Sequence, residues 1–267
     1  MEYSRVKEMP ERLTDLGPRQ PKQLWYRGKW DKKSFSKCAA VVGSRRMTNY
    51  GERVVEKLVP QLVQAGFTIV SGFMYGVDQA AHRVAMACGG KTVAVLGWGI
   101  NYRKLEIRDE KLEDEIIKSG GLMLSEWEEQ EPILWTFPFR NRIVAALSSD
   151  VYVVEAAVKS GSLITARMGR ELGRRIWAVP GPITSSVSAG TNALIASGAA
   201  KMWLPQQQLV VQEPGDDEML RVLTDEELTI DEVARKLGKQ VSEVGAQLSL
   251  MVLSGVIIEK DGKYYAS

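Results

Sequence analysis

Six short apolar runs, separated by stretches of helical spacing, constrain the fold more than any other feature of this chain. They are CAAVV (38–42), FTIV (67–70), TVAVLG (92–97), GLMLS (121–125), VYVVE (151–155) and RIWAVP (175–180). They are almost continuously apolar, as strands covered on both faces should be; a strand with one wet face would alternate. Between the first two lies NYGERVVEKLVPQLVQAG. Its Val54, Val55, Leu58, Val59, Leu62 and Val63 keep helical spacing, Gly66 supplies a stop, and Pro60 is expected to kink the helix. The rhythm predicts an α/β fold, a mostly parallel sheet with helices on both faces across residues 38–204.

The flanks read differently. Residues 1–37 form an N-terminal extension with ten basic and five acidic side chains and no signal-peptide core. Residues 205–217 are polar, contain Pro214 and Gly215, and read as a linker. Residues 218–267 resemble a small winged helix. TIDEVARKLG opens with a capping box from Thr229 to Glu232, VSEVGAQLSLMVLSG is a second amphipathic helix, and Asp261-Gly262 marks a hairpin. The net charge of +2 is unevenly spread: +5 over 1–37, +3 over 38–204 (nineteen basic, sixteen acidic), −3 over 205–217, and −3 over 218–267 (six basic, nine acidic). An anionic partner is thus expected on the first two hundred residues.

Several function classes lose their support. No run reaches the length of a membrane span. Cys38 and Cys88 sit in apolar sequence and read as reduced core thiols of a cytoplasmic protein. With no Cys/His cluster, no zinc site and no cofactor are expected. Neither G-x-G-x-x-G nor G-x-x-x-x-G-K-[ST] occurs, so dinucleotide and P-loop chemistry lack their usual motifs.

Ligands of an open α/β sheet bind beyond the carboxyl ends of its strands. The segments there are GSRR (43–46), SGFMYG (71–76), GWG (97–99), AAVKSGS (156–162) and GPITSS (181–186). Glycine lets backbone N–H groups approach an anion, serine adds a donor, and helix N-termini favour negative charge. Lys159, Ser160, Gly161 and Ser162 read as an anion site, with Ser162 able to cap a helix that Gly173 ends. Ser44 and Arg45 of GSRR are weaker candidates; Gly43 and Ser44 alone would also suit a plain tight turn. SGFMYG places Gly72 and Gly76 in a loop before a helix. Asp78 and His82 could share a helix face, but a cap and a structural hydrogen bond explain them better than a metal or an acid/base pair. Arg167, Arg170 and Arg174 read as a solvated stripe.

FPFRNR (137–142) places Phe137 and Phe139 beside Arg140, Asn141 and Arg142. Asn141 is a plausible N-cap, which would set both arginines against a helix dipole unless an anion shares the site. Aromatic faces stack on unpaired bases, and guanidiniums pair phosphates or stack on base planes. The pattern suits single-stranded nucleic acid; core phenylalanines with ion-paired arginines are the alternative.

VVGSRR, SGFMYGVDQAAH, LSEW and the long stretch from FPFRNRIVAAL to TNALIASGA resemble the DNA processing protein A family, also called DprA or Smf. The similarity covers about residues 20–204 and returns in the tail. It implies an extended Rossmann-like domain that binds single-stranded DNA, forms homodimers, is not an enzyme, and protects incoming strands and loads the RecA recombinase in natural transformation. Carried over by motif, Ser44, Arg45, Gly72, Arg140, Asn141, Arg142, Lys159, Ser160, Gly161 and Ser162 would line the DNA pocket, with Phe139 the candidate stacking ring. The chain departs from the family pattern in having only about 35 residues ahead of the first strand, so that the helical domain many members carry there is expected to be missing or vestigial, in the segment after GWG, and in SGFM, where smaller residues are usual. The competing reading is a nucleotide-binding or nucleotide-hydrolysing Rossmann-like enzyme. PGPITSSVSAGT, however, lacks the PGGxGTxxE motif of nucleoside-monophosphate phosphoribohydrolases.

Overall fold

The computed structural model describes residues 2–104, 107–205, 218–253 and 256–266. Residues Met1–Pro205 form one compact unit and Gln206–Ser267 a second. In the first, β1 (Ser4–Arg5) leads through a 3-10 segment, Glu11–Arg19, to β2 (Trp25–Gly28). Then follow β3 (Cys38–Val42), α1 (Asn49–Gln64), β4 (Thr68–Ser71), α2 (Val77–Ala87), β5 (Thr92–Val95), α3 (Ile107–Lys118) and β6 (Leu122–Ser125). The unit closes with α4 (Thr136–Leu147), β7 (Asp150–Val153), α5 (Gly161–Glu171), β8 (Arg175–Ala178), α6 (Ala189–Ala196) and β9 (Lys201–Met202).

The nine strands lie in the order β1-β2-β6-β5-β4-β3-β7-β8-β9. All neighbours from β6 to β9 are parallel, and β1 and β2 add an antiparallel edge. The chain therefore winds outward from β3 to β6, then returns to place β7 on the other side of β3. That reversal is the switch point at which an open sheet leaves a crevice.

Strand β3 shows why the six apolar runs carried so clear a signal. Cys38, Ala40 and Val42 enter the core shared with Ile143, Val144 and Leu147 of α4, while Ala39 and Val41 enter the core shared with Val55, Leu58 and Val59 of α1. Successive side chains leave a strand on opposite faces, so a sheet covered twice must be apolar at every position. Thr48 caps α1, its hydroxyl accepting from the Gly51 amide at 3.3 Å. The helix runs as one element through Pro60 rather than breaking there.

Residues 1–37 belong to this unit rather than forming an appendage: Leu13, Leu16 and Leu24 are buried in the α4 core and β2 pairs with β6. Cys38 is buried, and its thiol is pushed up to about 12 by that burial, but Cys88 is exposed, contrary to its reading as a core thiol. Cys88 is the C-cap of α2 and is followed by Gly89, whose φ of 69° ends the helix.

The second unit contains α7 (Glu218–Asp225), β10 (Leu228–Thr229), α8 (Ile230–Leu237), α9 (Val241–Leu253), β11 (Ile257–Lys260) and β12 (Lys263–Ala266). Its antiparallel sheet has the order β10-β12-β11, and the Thr229–Glu232 capping box opens α8 as the sequence predicts. Of the linker expected at 205–217, residues 206–217 lie outside the described residues.

Candidate functional site

A trough of about 630 Å³ lies at the switch point. Its walls come from the loops after β3, β4 and β8, the start of α2, the first half of α4, and the loop and first turns of α5. These bring together nine of the eleven residues singled out in the sequence, namely Ser44, Arg45, Gly72, Arg140, Asn141, Lys159, Ser160, Gly161 and Ser162. Phe139 and Arg142 are not among its walls. Arg46, Phe137 and Ser186 are, and the sequence reading did not assign them. Arg46 stands beside Arg45 in the same exposed loop, and Phe137 carries the same aromatic signal as Phe139.

The difference at FPFRNR follows from where the helix starts. Asn141 is not an N-cap: α4 begins at Thr136, with Pro138 in its first turn, where a missing N–H costs nothing. The early start rotates Arg140 inward and Arg142 to another side. Arg140 is only 2% exposed and donates to the carbonyls of Gly72 and Val95, closing the ends of β4 and β5. Arg142, 3% exposed, donates to Glu126 at 2.7 Å, to the Arg19 carbonyl at 2.9 Å and to the Phe139 carbonyl at 3.0 Å. Its guanidinium lies 3.9 Å from the Phe139 ring centroid, and Phe139 packs with Trp127 and Trp135. Arg142 therefore ties the Glu11–Arg19 segment to α4, with the Phe139 ring against its guanidinium.

Burial decides the electrostatics of the Arg140 neighbourhood. Desolvation lowers the Arg140 guanidinium to about 10, with the Asp78 charge opposing the shift and Arg45 adding to it. The cation persists at neutral pH. Desolvation raises the Asp78 carboxyl, while Arg140 and local hydrogen bonds pull it down. His82 is fully buried, hydrogen-bonded through Nδ1 to Thr92 Oγ1 at 2.6 Å, and lowered to about 3 by burial and by Arg140 and Arg83. It does not line the trough.

Several helix N-termini approach this region; those of α1 and α2 already hold an anion, and that of α4 has no acidic residue in its first turn. The Glu155 carboxylate accepts from the Thr48 amide at 2.9 Å and from the Thr48 hydroxyl at 2.5 Å, at the start of α1. Asp78 sits in the first turn of α2 and accepts from the Met74 amide at 3.4 Å. The first turn of α5 has no acidic residue. Its cap is Ser160, not Ser162: the Ser160 hydroxyl accepts from the Ser162 amide at 3.4 Å and lies 2.8 Å from the Ser162 hydroxyl. Lys159 stands exposed beside this positive end. Across the trough, the exposed Arg45 guanidinium lies 5.2 Å from the Phe137 ring centroid.

Two glycines are fixed by close approach. A Cβ at Gly72 would fall 2.6 Å from both Arg140 Nη1 and Asp78 Oδ2. At Gly76, with φ 75°, a Cβ would fall 2.2 Å from the Ser44 carbonyl of the neighbouring trough loop. Phe73 adopts φ 60°, a left-handed conformation that costs a bulky residue about 1–2 kcal/mol. Arg174, expected on a solvated stripe, instead donates to Asp15 at 2.5 Å and to the Ala146 carbonyl at 2.9 Å. Among the described residues no cluster of His, Cys, Asp and Glu could hold a metal ion, and no helix is long and apolar enough to cross a membrane.

An extended, mostly parallel sheet with a cation-lined trough at its switch point defines a Rossmann-like α/β protein. Within that class the chain belongs to the DNA recombination-mediator protein A family, whose sequence model matches residues 3–213. It is 37% identical over 252 residues to protein Smf of Escherichia coli, covering 84% of this chain and 66% of that protein. It is 42% identical over 182 residues to DNA processing protein DprA of Streptococcus pneumoniae, covering 67% and 62%. The chain thus spans about two thirds of the length of these relatives. Two solved structures share the fold at a TM-score of 0.69. One is the X-ray structure of DprA from S. pneumoniae (35% identity, 79% of this chain and 75% of that one). The other is a DNA processing protein A from Helicobacter pylori, described for its mode of binding single-stranded DNA (31%, 78% and 94%).

Proposed function

We propose that this protein is a recombination mediator that binds single-stranded DNA in the switch-point trough. One observation carries the reading: unlike the N-termini of α1 and α2, that of α5 holds no internal carboxylate, and Lys159, Arg45, Arg46 and the Phe137 ring surround it. A backbone phosphate takes the seat at Ser160–Ser162, the exposed cations pair its neighbours, and Phe137 offers a face to a base. Arg140 shapes the trough floor through the Gly72 and Val95 carbonyls. The likeness to the H. pylori protein supports the same ligand.

On this reading the protein is not a catalyst. Its partners are single-stranded DNA, a RecA-type recombinase and a second copy of itself, and it works in the cytoplasm on incoming strands. The second unit is a winged helix that contacts protein. Its α9 carries no Lys or Arg and one acidic residue, Glu243, a poor surface for reading duplex DNA.

Fluorescence anisotropy with single-stranded and duplex oligonucleotides of several lengths tests this reading. Single strands win, affinity rises with length, and log K falls with log salt at about −0.7 per phosphate neutralised. Equal binding of mononucleotide and oligonucleotide would instead favour a nucleotide-sensing module.

A further inference from the structure

Helix α6 lines no part of the trough, yet its first turn braces two of the trough's loops. The Gly190 amide donates to the Ala156 carbonyl at 2.8 Å, just ahead of Lys159. A Cβ at Gly190 would fall 2.7 Å from that carbonyl oxygen and 2.8 Å from that of Ala157, so glycine is what lets α6 pack so closely. Asn192 reaches the other loop, the one after β8. Its side-chain amide pairs with both polar backbone groups of Gly181: Oδ1 accepts from the Gly181 amide at 3.1 Å, and Nδ2 donates to the Gly181 carbonyl at 3.0 Å. Tyr50 of α1 completes the hold, donating its hydroxyl to the Pro180 carbonyl at 2.6 Å.

These bonds answer a need that the sequence creates. Past Val179 the chain has left the sheet, and Pro180-Gly181-Pro182 carries a single backbone N–H, that of Gly181. Asn192 gives that N–H and its carbonyl the partners an adjacent strand would give. Two tight turns follow, the Ser185 amide on the Pro182 carbonyl at 3.0 Å and the Ser188 amide on the Ser185 carbonyl at 3.1 Å, and between them Ser186 and Val187 reach the trough wall. Ser186 is exposed, and among the described residues its hydroxyl makes no hydrogen bond. The other serine hydroxyls of the trough are engaged already: that of Ser44 accepts from the Arg46 amide at 3.0 Å, and those of Ser160 and Ser162 lie 2.8 Å apart. A serine hydroxyl carries one donor, and such donors commonly go to phosphate oxygens.

Resting on the single-stranded DNA reading of the trough, we propose that Ser186 is a further contact for the bound strand, its hydroxyl donating to a backbone phosphate, and that Asn192 and Tyr50 are positioning residues that hold it there. Neither of those two lines the trough; each acts through Pro180 and Gly181. Helix α6 thereby governs the grip on the strand from outside the trough.

A double-mutant cycle on strand affinity tests this, read by fluorescence anisotropy on the full chain with a thymine oligonucleotide. Ser186→Ala weakens binding about fivefold, the worth of one neutral hydrogen bond, and leaves the salt slope unchanged because no charge is lost. Asn192→Ala weakens binding by about the same factor, although it removes nothing from the trough wall. The two substitutions together cost no more than either alone, since they abolish one and the same contact. A side chain that only stabilised the fold would leave the affinity of folded protein intact or give losses that multiply, to about twenty-five-fold. Multiplying losses, or full affinity in Asn192→Ala, overturn the positioning role, and full affinity in Ser186→Ala overturns the contact; in each case the trough reading stands. Failure of the unaltered protein to bind single strands overturns both. Tyr50→Phe, which deletes one hydroxyl on α1, runs the same cycle should Asn192→Ala not fold.

Discussion

Arg140 and Arg45 both border the trough, yet they use their charge differently. Arg140 is buried and spends its donors on the Gly72 and Val95 carbonyls, whereas Arg45 is exposed over Phe137. Removing a buried cation leaves carbonyls without partners and Asp78 without its countercharge. Arg140→Ala is expected to lower unfolding free energy by about 3 kcal/mol or more, measured by urea denaturation. Arg45→Ala should stay within about 0.5 kcal/mol of the unaltered protein and flatten the salt dependence of strand binding by about one phosphate contact. His82 gives a pH signature. Its folded value, about 3, lies below the ordinary 6.5, so the unfolded chain takes the proton first on acidification. The neutral imidazole's contribution is complete above pH 6.5 and is lost as pH falls toward 3, at up to about 1.4 kcal/mol per pH unit. Denaturation of His82→Gln across pH 3–7 should lack that component. Only part of this was legible in the sequence: a structural hydrogen bond was expected for His82, and ion-paired arginines were the alternative reading of FPFRNR. A charged side chain is seldom fully buried, so FRNR reads most naturally as two surface cations, and only the register of α4 separates the inward arginine from the one that holds Glu126.

At the scale of elements, the parallel strands were readable because burial on both faces leaves no polar position to confuse the pattern. Strands β1 and β2 were not: Trp25-Tyr26-Arg27-Gly28 is short and mixed, and its Arg27 is buried only because it pairs with Glu113 of α3. The helix ends were half legible. KSGS reads in the sequence as an anion seat, which remains the proposal made above; the cap is Ser160, two residues earlier than Ser162, because a capping hydroxyl must accept from an amide further along the chain. Ser160→Ala should therefore cost about 1 kcal/mol in thermal or urea denaturation and also weaken strand binding, since it loosens the turn that presents Ser162. A stability loss with unchanged affinity would separate the cap from the seat.

For the molecule as a whole, the division at Pro205 gives each unit its own core. That of the second contains Leu223, Val233, Val244, Leu248 and Ile257. The whole trough lies in the first unit, and residues 218–267 carry a net −3. A chain ending at Pro205 is expected to fold cooperatively and to keep its affinity for short single strands within about threefold, checked by circular dichroism and anisotropy. A larger loss would assign strand contacts to the second unit.

The pairing of β2 with β6 has a practical consequence. The segment that shields Leu122–Ser125 comes from the very beginning of the chain, so trimming residues 1–28 would strip a short, apolar ribbon of its cover. Bare ribbons of that kind recruit one another. Such a trimmed protein should precipitate or elute as large assemblies in size-exclusion chromatography, even though every residue of the trough is still present.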